Sequence, residues 1–318
     1  MSALNLEDGR LGRRIAYRVA SLLHGLSWRG LLAVVAWGAS FVATRIALQA
    51  LDPFSLVAIR LLVGTALLSA LLKVRRQRLL PLRRDVPTCL ALGLTLSLHL
   101  LIQAYGLEHT SAINTGWIIG FIPVTIAIGA QLLGQQRLSA LGWVGVATGS
   151  LGVLTVTAVA PPDFAHARFG DLLQVASCFT WALYTLAAAG PMARSGPLRV
   201  TTFAMGVAAL LVAAATAGMG ARVEAMTARV AAALVFLGVV CSGVAYWLWF
   251  SATHDEGPTR TASLLYVEPF VTLVTARVLC DESITANAVG GGIIVLVGVW
   301  LVRRGAAHAH LAGGQSSR

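Results

Sequence analysis

The sequence predicts an all-α polytopic membrane protein, with ten transmembrane helices arranged as two inverted repeats of five. Three observations support this fold class: an apolar composition, apolar segments of membrane length, and an ordered correspondence between the two halves of the chain. Of the 318 residues, 57% are hydrophobic and 12% are charged, and the mean hydropathy is +0.77. A soluble domain contains about 25% charged residues, so a soluble fold does not fit this composition.

Ten apolar segments are long enough to cross a bilayer, which takes roughly 20 helical residues. They lie at about 29–48, 54–73, 87–106, 112–134, 139–158, 170–189, 198–218, 230–251, 260–280 and 284–303. The short loops between them leave no room for a soluble catalytic domain. The chain is therefore divided into a basic amphipathic cytoplasmic tail at 1–28, a first repeat at 29–158, a second repeat at 170–304 and a cytoplasmic tail at 305–318.

The basic residues are distributed as membrane topology requires. The chain carries 24 lysines and arginines and a net charge of +11. Eighteen of them fall on one side of the predicted spans and three on the other, while Arg45, Arg60 and Arg277 lie within spans. Because cytoplasmic loops carry the excess of basic residues, both termini are expected in the cytoplasm, in a bacterial cytoplasmic membrane. The basic charge is thus explained by topology, and nucleic-acid binding is not expected.

The two halves correspond residue by residue in the same order. Pro123, in the segment GWIIGFIPVTIAIGA, is matched 146 residues later by Pro269 in TASLLYVEPFVTLVTA. Trp37 and Trp181 match at an offset of 144, and the offset drifts slowly along the chain, as short insertions produce. Each half has an odd number of spans, so the second half enters the membrane from the opposite side. Such inverted halves enclose a central cavity that can open to either face, which predicts alternating access.

The chain resembles the EamA-type drug/metabolite transporter superfamily from about residue 29 to 304. The resemblance rests on WGASFVATRIAL at 37–48, on DPFSLVAIRLLVG at 52–64, on the fourth and ninth spans with their prolines, and on QQRLS at 135–139 before a glycine-rich fifth span. It implies ten helices, cytoplasmic termini, and export or exchange of small metabolites. The chain departs from the family at Gln135 and Gln136, where the family usually shows Gly-Glu, whereas Asp281 and Glu282 keep an acidic pair in the second half.

Glu268 is the most informative titratable residue. A carboxylate beside a helix-breaking proline within a membrane span is costly against lipid, so we expect it to face the cavity. There it contacts the substrate or a coupling proton, or else it is a structural carboxylate bonded to a hydroxyl or to backbone freed by Pro269. The equivalent residue in the first half is Ile122, so any coupling is asymmetric. Pro123 and Pro269 are expected to act as hinges, with static kinks as the alternative.

Other polar and aromatic residues are candidates for the cavity wall. Arg60 either binds a carboxylate or phosphate of the substrate, or snorkels to headgroups or pairs with an acid. His99 and Gln103 lie one helical turn apart and need a buried polar face, with interhelical hydrogen bonds as the alternative role. The aromatic candidates, any of which can instead anchor or pack a helix, are Trp37, Trp117, Trp181, Tyr184, Tyr246 and Tyr266.

These residues favour a secondary carrier that exports or exchanges a small metabolite, such as an amino acid or a drug-like compound, with proton coupling as an open question. A lipid-modifying membrane enzyme and a non-transporting receptor are the alternatives. The sequence shows neither H-E-x-x-H nor G-x-S-x-G, which disfavours the enzyme, and no P-loop, which disfavours ATP-driven transport. No cofactor or metal site is expected. The expected partners are the metabolite, the bilayer and any coupling protons.

Overall fold

The computed structural model describes residues 27–315, except 135–136, 158–163, 221–222, 225, 257–260 and 262. The predicted amphipathic helix before residue 27 and the Gln135–Gln136 pair lie outside these residues. The helices are α1 (Trp28–Ala47), α2 (Pro53–Val74), α3 (Val86–His109), α4 (Ala112–Ile119), α5 (Ile122–Leu132), α6 (Ala140–Thr157), α7 (Phe164–Ser195), α8 (Pro197–Met219), α9 (Ala228–Val235), α10 (Tyr246–Glu256), α11 (Glu268–Cys280) and α12 (Ala286–Gln315). A π-helix, Phe236–Ala245, joins α9 to α10, and short 3₁₀ turns, Arg83–Asp85 and Ser263–Val267, precede α3 and α11.

Capping residues in the sequence set where several helices begin. The Ser27 hydroxyl accepts from the Gly30 N–H at 3.3 Å before α1, and the Asp52 carboxylate accepts from the Ser55 N–H at 3.0 Å before α2. Such side chains satisfy N–H groups that the first helical turn leaves without a partner. Each cap lies close to the start of an apolar run, so the loops stay short and the helices pack as neighbours.

Eight helices among the described residues are long and apolar enough to cross a membrane. They cover the first eight predicted spans. The tenth span contains a shorter apolar helix, Ala286–Val302, within α12, which itself continues to Gln315. In the ninth span, α11 has only 13 residues and follows a 3₁₀ turn. The chain is therefore an all-helical membrane protein over its described residues, while the count of ten spans and the inverted arrangement stay predictions.

The fourth and ninth predicted spans are both interrupted. In the fourth, α4 ends at Ile119 and α5 begins at Ile122, with Pro123 in its first turn. In the ninth, α11 begins at Glu268, with Pro269 in its first turn. The N–H groups of a helix's first turn have no partner within the helix, so proline, which lacks an N–H, is tolerated there. Because proline cannot continue a helix that began before it, the preceding segment and the following helix are separate. The two interruptions are adjacent, since a Cβ on Gly120 would lie 3.3 Å from Pro269 Cγ.

Helices α6 and α12 pack backbone against backbone through their glycines. A Cβ placed on Gly298 would lie 2.3 Å from the Gly149 nitrogen, and one on Gly152 would lie 2.5 Å from the Val295 nitrogen. Small residues let membrane helices approach this closely. The glycine-rich fifth and tenth spans therefore form one tightly joined pair.

The Glu282 carboxylate holds one end of the bundle together. Its oxygens accept from the N–H groups of Ala112 and Ile113 in the first turn of α4, each at 3.1 Å. Arg45, at the end of α1, places Nε 3.4 Å from the same carboxylate and donates to the Thr110 carbonyl. A carboxylate is favoured at a helix N-terminus by the free N–H groups and the helix dipole. The loop before α12 is thus tied to α1 and α4.

Gly298→Ala is expected to lower the free energy of unfolding by about 1–3 kcal/mol, because its methyl group meets backbone that cannot move aside. Gly290→Ala on the same helix is the matched control, since a Cβ there has nothing within 4 Å. The control is expected to change stability by less than about 1 kcal/mol, in the stabilising direction. Unfolding of the purified protein in detergent measures both. Equal effects at the two positions would contradict the close α6–α12 contact.

Glu282→Gln is expected to lower the free energy of unfolding by about 1–3 kcal/mol, because two N–H groups lose a charged acceptor. Asp281→Asn is the adjacent control: the Asp281 side chain is 92% exposed and pairs with Arg277 at 2.8 Å. An exposed i,i+4 pair contributes about 0.5 kcal/mol or less, so this control should change little. A smaller loss for Glu282→Gln than for Asp281→Asn would show that Glu282 does not hold this end of the bundle.

Candidate functional site

A buried cavity of about 40 Å³ lies among helices from both halves of the chain. In the first half, the lining residues lie on α1, α2, α3 and at the interruption between α4 and α5. In the second half, they lie on α7, α10, α11 and the 3₁₀ turn before α11. The lining residues are Trp37, Ser40, Phe41, Arg60, His99, Leu100, Gln103, Ile119, Ile122, Trp181, Tyr246, Leu265 and Glu268.

Seven of the ten candidates for the cavity wall lie around this one cavity, namely Trp37, Arg60, His99, Gln103, Trp181, Tyr246 and Glu268. They come from six different helices, and the largest separation in sequence is more than two hundred residues. Whether each of them contacts a substrate stays a prediction.

The aromatic rings of Trp37, Trp181 and Tyr246 form one wall of the cavity. The centroids of Trp37 and Trp181 are 5.4 Å apart at 82°, those of Trp37 and Tyr246 are 5.3 Å apart at 73°, and those of Trp181 and Tyr246 are 5.9 Å apart at 83°. These edge-to-face contacts are a favourable arrangement of aromatic rings. The repeat partners Trp37 and Trp181 therefore touch each other, which leaves no space for a substrate between them in this conformation.

The π-helix supplies polar partners for two cavity residues. The Trp37 indole N–H donates to the Cys241 carbonyl at 3.1 Å, and Arg60 Nε donates to the Ser242 hydroxyl at 3.0 Å. Both acceptors lie in the segment Phe236–Ala245. A π-helical segment displaces the regular i→i−4 hydrogen bonds and is common at functional sites. Here it presents a backbone carbonyl and a hydroxyl toward α1 and α2.

Arg60 is a buried cation, with 4% of the residue exposed. Its position among helices rules out snorkelling to the headgroups, one of the alternatives open from sequence. Arg45 and Arg277, the other arginines within predicted spans, instead pair with Glu282 and Asp281.

His99 is fixed by α7. Its Nδ1 lies 3.1 Å from the Ser177 carbonyl and 3.1 Å from the Thr180 hydroxyl oxygen. A carbonyl only accepts, so Nδ1 carries the proton, and in the neutral ring Nε2 is an acceptor. The ring also packs on Trp181, with centroids 5.1 Å apart. The arrangement orients the second ring nitrogen as a hydrogen-bond acceptor within the cavity lining.

Glu268 is positioned by its backbone. The Thr272 hydroxyl donates to the Glu268 carbonyl at 3.0 Å and to the Gly38 carbonyl at 2.9 Å. A Cβ on Gly38 would lie 2.8 Å from the Glu268 carbonyl oxygen, so α1 and α11 touch at this point. The side chain lines the cavity and the residue is 4% exposed. Within the described part of the chain, its carboxylate has no hydrogen-bond or ion-pair partner.

Three predicted aromatic residues are not part of the cavity lining. Trp117 packs on Phe270, with ring centroids 5.6 Å apart, and sits against Gly292 of α12. Tyr184 is fully buried and stacks on Trp181, with centroids 5.8 Å apart at 14°. Tyr266 packs beside the apolar cluster between α5, α6 and α12. Helical periodicity alone does not separate a packed face from a cavity face, which is why the sequence grouped them together.

Pro123 and Pro269 also lie outside the lining, although their predecessors Ile122 and Glu268 are part of it. Their hinge role stays a prediction.

The cavity lining also includes five residues that the sequence did not single out as candidates: Ser40, Phe41, Leu100, Ile119 and Leu265. Two of them could have been predicted from the repeat. Ile119 and Leu265 are 146 residues apart, the same offset as Ile122 and Glu268.

The cavity is small, at about 40 Å³. The site thus combines a buried cation, a buried acid, polar groups and aromatic rings around one small cavity.

Comparisons with known proteins place this architecture in a family. The model of the "EamA-like transporter family" matches residues 26–158 and again residues 168–304. An "Uncharacterized transporter" of Archaeoglobus fulgidus is 28% identical over 275 residues, covering 85% of this chain and 94% of its own length. A solved crystal structure superposes with a TM-score of 0.66 at 20% identity, covering 89% of this chain and 98% of its own, and this likeness concerns the fold.

Two further relatives carry more specific names. A "Probable terminal-alkyne amino-acid exporter" of Streptantibioticus cattleyicolor is 27% identical and covers 87% of this chain and 93% of its own length. A "Probable amino-acid metabolite efflux pump" of Escherichia coli is 25% identical, with coverages of 85% and 92%. The relatives are named as transporters or exporters, and the chain is not an enzyme. The two matches of the family model together span most of the chain, which is an integral membrane protein of the EamA-like transporter family.

Proposed function

We propose that this protein is a secondary carrier that exports or exchanges small amphipathic metabolites of the amino-acid class by alternating access. The cavity carries the proposal, because it is buried between elements of both halves and combines opposite charges with an aromatic wall. The names of the two exporter relatives support the same substrate class. We place the protein in the bacterial cytoplasmic membrane with both termini in the cytoplasm, as the distribution of basic residues favours.

Alternating access is supported by the paired interruptions of α4–α5 and of the 3₁₀ turn before α11. Broken helices beside a central site are typical of carriers built from repeats. The cavity is small, about 40 Å³, and is lined mostly by buried residues of both halves, so a carrier cycle needs states in which it opens to one face of the membrane or the other. The adjacent interruptions at Gly120 and Pro269 are suited to that change, because fewer backbone hydrogen bonds hold each helix there.

Proton coupling is the finer part of the proposal, and Glu268 is the residue that we assign to it. A carboxylate buried without a partner among the described residues is costly as an anion, so it is readily neutralised by a proton. The equivalent residue Ile122 cannot titrate, and Glu268 is the one acidic residue of the cavity lining within the described part of the chain. Intramembrane acids with this placement are commonly part of ion pathways.

In proteoliposomes, an imposed pH gradient is expected to accelerate flux of a bound amino acid, found by screening the common amino acids. Glu268→Gln is expected to abolish the acceleration, because a neutral amide cannot take up and release a proton. Glu108→Gln, at an exposed position near the end of α3, is the matched control and should respond to the gradient as the unmodified protein does.

Gradient-driven flux that persists unchanged in Glu268→Gln across the pH range would rule out this coupling role. Absence of carrier-dependent flux for every amino acid, with or without a gradient, would overturn the proposed substrate class.

The topology gives a separate prediction for two exposed loop positions. In a variant without reactive native cysteines, Ser283→Cys should react with a membrane-impermeant maleimide in intact cells. Gln77→Cys should react only after permeabilisation, because its loop belongs to the basic, cytoplasmic side. Labelling of Gln77→Cys in intact cells would reverse the proposed orientation, and labelling of both positions from outside would contradict the inverted arrangement.

A further inference from the structure

We infer that the cavity recognises its substrate as a zwitterion, with Arg60 binding the carboxylate and Glu268 binding the ammonium group of one molecule. The inference rests on the proposed carrier function and assigns each charged end of an amino acid to a residue. It concerns recognition, and its test measures ligand affinity rather than gradient-driven flux.

The first observation is that the two charges share the cavity without pairing. Both residues line it and each is 4% exposed. Among the described residues, Arg60 bonds only the Ser242 hydroxyl, and the Glu268 carboxylate has no polar partner. Neither is in an ion pair with the other. An uncompensated buried charge is unfavourable, so each residue gains from a ligand group of opposite sign.

The second observation is that the Arg60 side chain and the Glu268 backbone are each held by neighbouring elements. Ser242 on the π-helix fixes one edge of the Arg60 guanidinium, which leaves its terminal nitrogens for a planar anion. The contact of Gly38 and Thr272 with the Glu268 backbone fixes the start of α11. A guanidinium fork suits a carboxylate, and a carboxylate suits an ammonium group. The two charged groups therefore come from separate packed elements, α2 and α11.

The third observation concerns the rest of the lining. Trp37, Trp181 and Tyr246 contribute rings and no charge, so they suit the side chain of the ligand rather than its charged ends. His99, with Nδ1 committed to α7, adds a neutral acceptor. A simple carboxylic acid would leave Glu268 unpaired, and a simple amine would leave Arg60 unpaired. A zwitterion satisfies both.

The test uses the full-length protein in detergent and the amino acid that binds best among the twenty common ones. Its affinity is compared with that of its methyl ester, which lacks the carboxylate, and its N-acetyl derivative, which lacks the ammonium group. On the unmodified protein, each derivative is expected to bind about 10- to 100-fold more weakly, as befits a lost charge-assisted hydrogen bond.

Two variants test which residue binds the carboxylate and which binds the ammonium group of the amino acid. Arg60→Gln should weaken the parent amino acid about 10- to 100-fold and leave the affinity for the ester nearly unchanged. Glu268→Gln should do the same for the parent and spare the N-acetyl derivative. If either variant does not fold, the ligand series on the unmodified protein still decides the inference.

Equal binding of the parent and both derivatives by the unmodified protein would overturn the zwitterion inference. So would a well-folded variant that weakens all three ligands alike, or failure of all twenty amino acids to bind. If amino-acid flux in proteoliposomes persists while the derivatives bind as well as the parent, the carrier function stands and the assignment of Arg60 and Glu268 is wrong.

Discussion

The contact between α1 and the start of α11 is the constraint on which the cavity depends. Gly38 leaves no space for a side chain against the Glu268 carbonyl, and the Thr272 hydroxyl bonds both backbones. Gly116 of α4 packs on the same threonine, where a Cβ would lie 2.7 Å from the Thr272 Cβ. Three helices thus meet through glycine and threonine. This close packing brings Glu268 to the centre and gives the interrupted helices a fixed neighbour on each side.

The site is asymmetric although the halves correspond. Glu268 occupies the position of Ile122 in the first half. The cavity lining contains Arg60 from the first half and, among the described residues, no arginine or lysine from the second. At the ends of the fourth and ninth spans the same contrast holds: Glu282 bonds the first turn of α4, whereas the sequence has Gln136 at the matching position. A duplicated scaffold therefore carries its charges in unequal places. In the proposed zwitterion recognition, this asymmetry assigns the two ends of the ligand to different halves of the chain.

Much of the fold could be predicted from the sequence, because the first eight spans are recognised from the length and apolar composition of each segment alone. The ninth could not be read in detail, because nothing local distinguishes a 3₁₀ turn before Glu268 from a continuous helix. The repeat offset pairs Trp37 with Trp181, and both line the cavity, whereas Tyr184 and Trp117 are also aromatic but lie outside the lining. The faces of an apolar helix differ only in their neighbours, which are set by packing and not by residue type.

The most direct test of the account is whether the cavity is reached from both sides of the membrane. Ser40 lines the cavity and is 5% exposed, so Ser40→Cys in a variant without native cysteines reports on it. We predict that a small impermeant thiol reagent modifies this cysteine from either face of the membrane, and that a transported amino acid slows both reactions. Modification from one face alone, or no slowing by any transported compound, would contradict alternating access through this cavity.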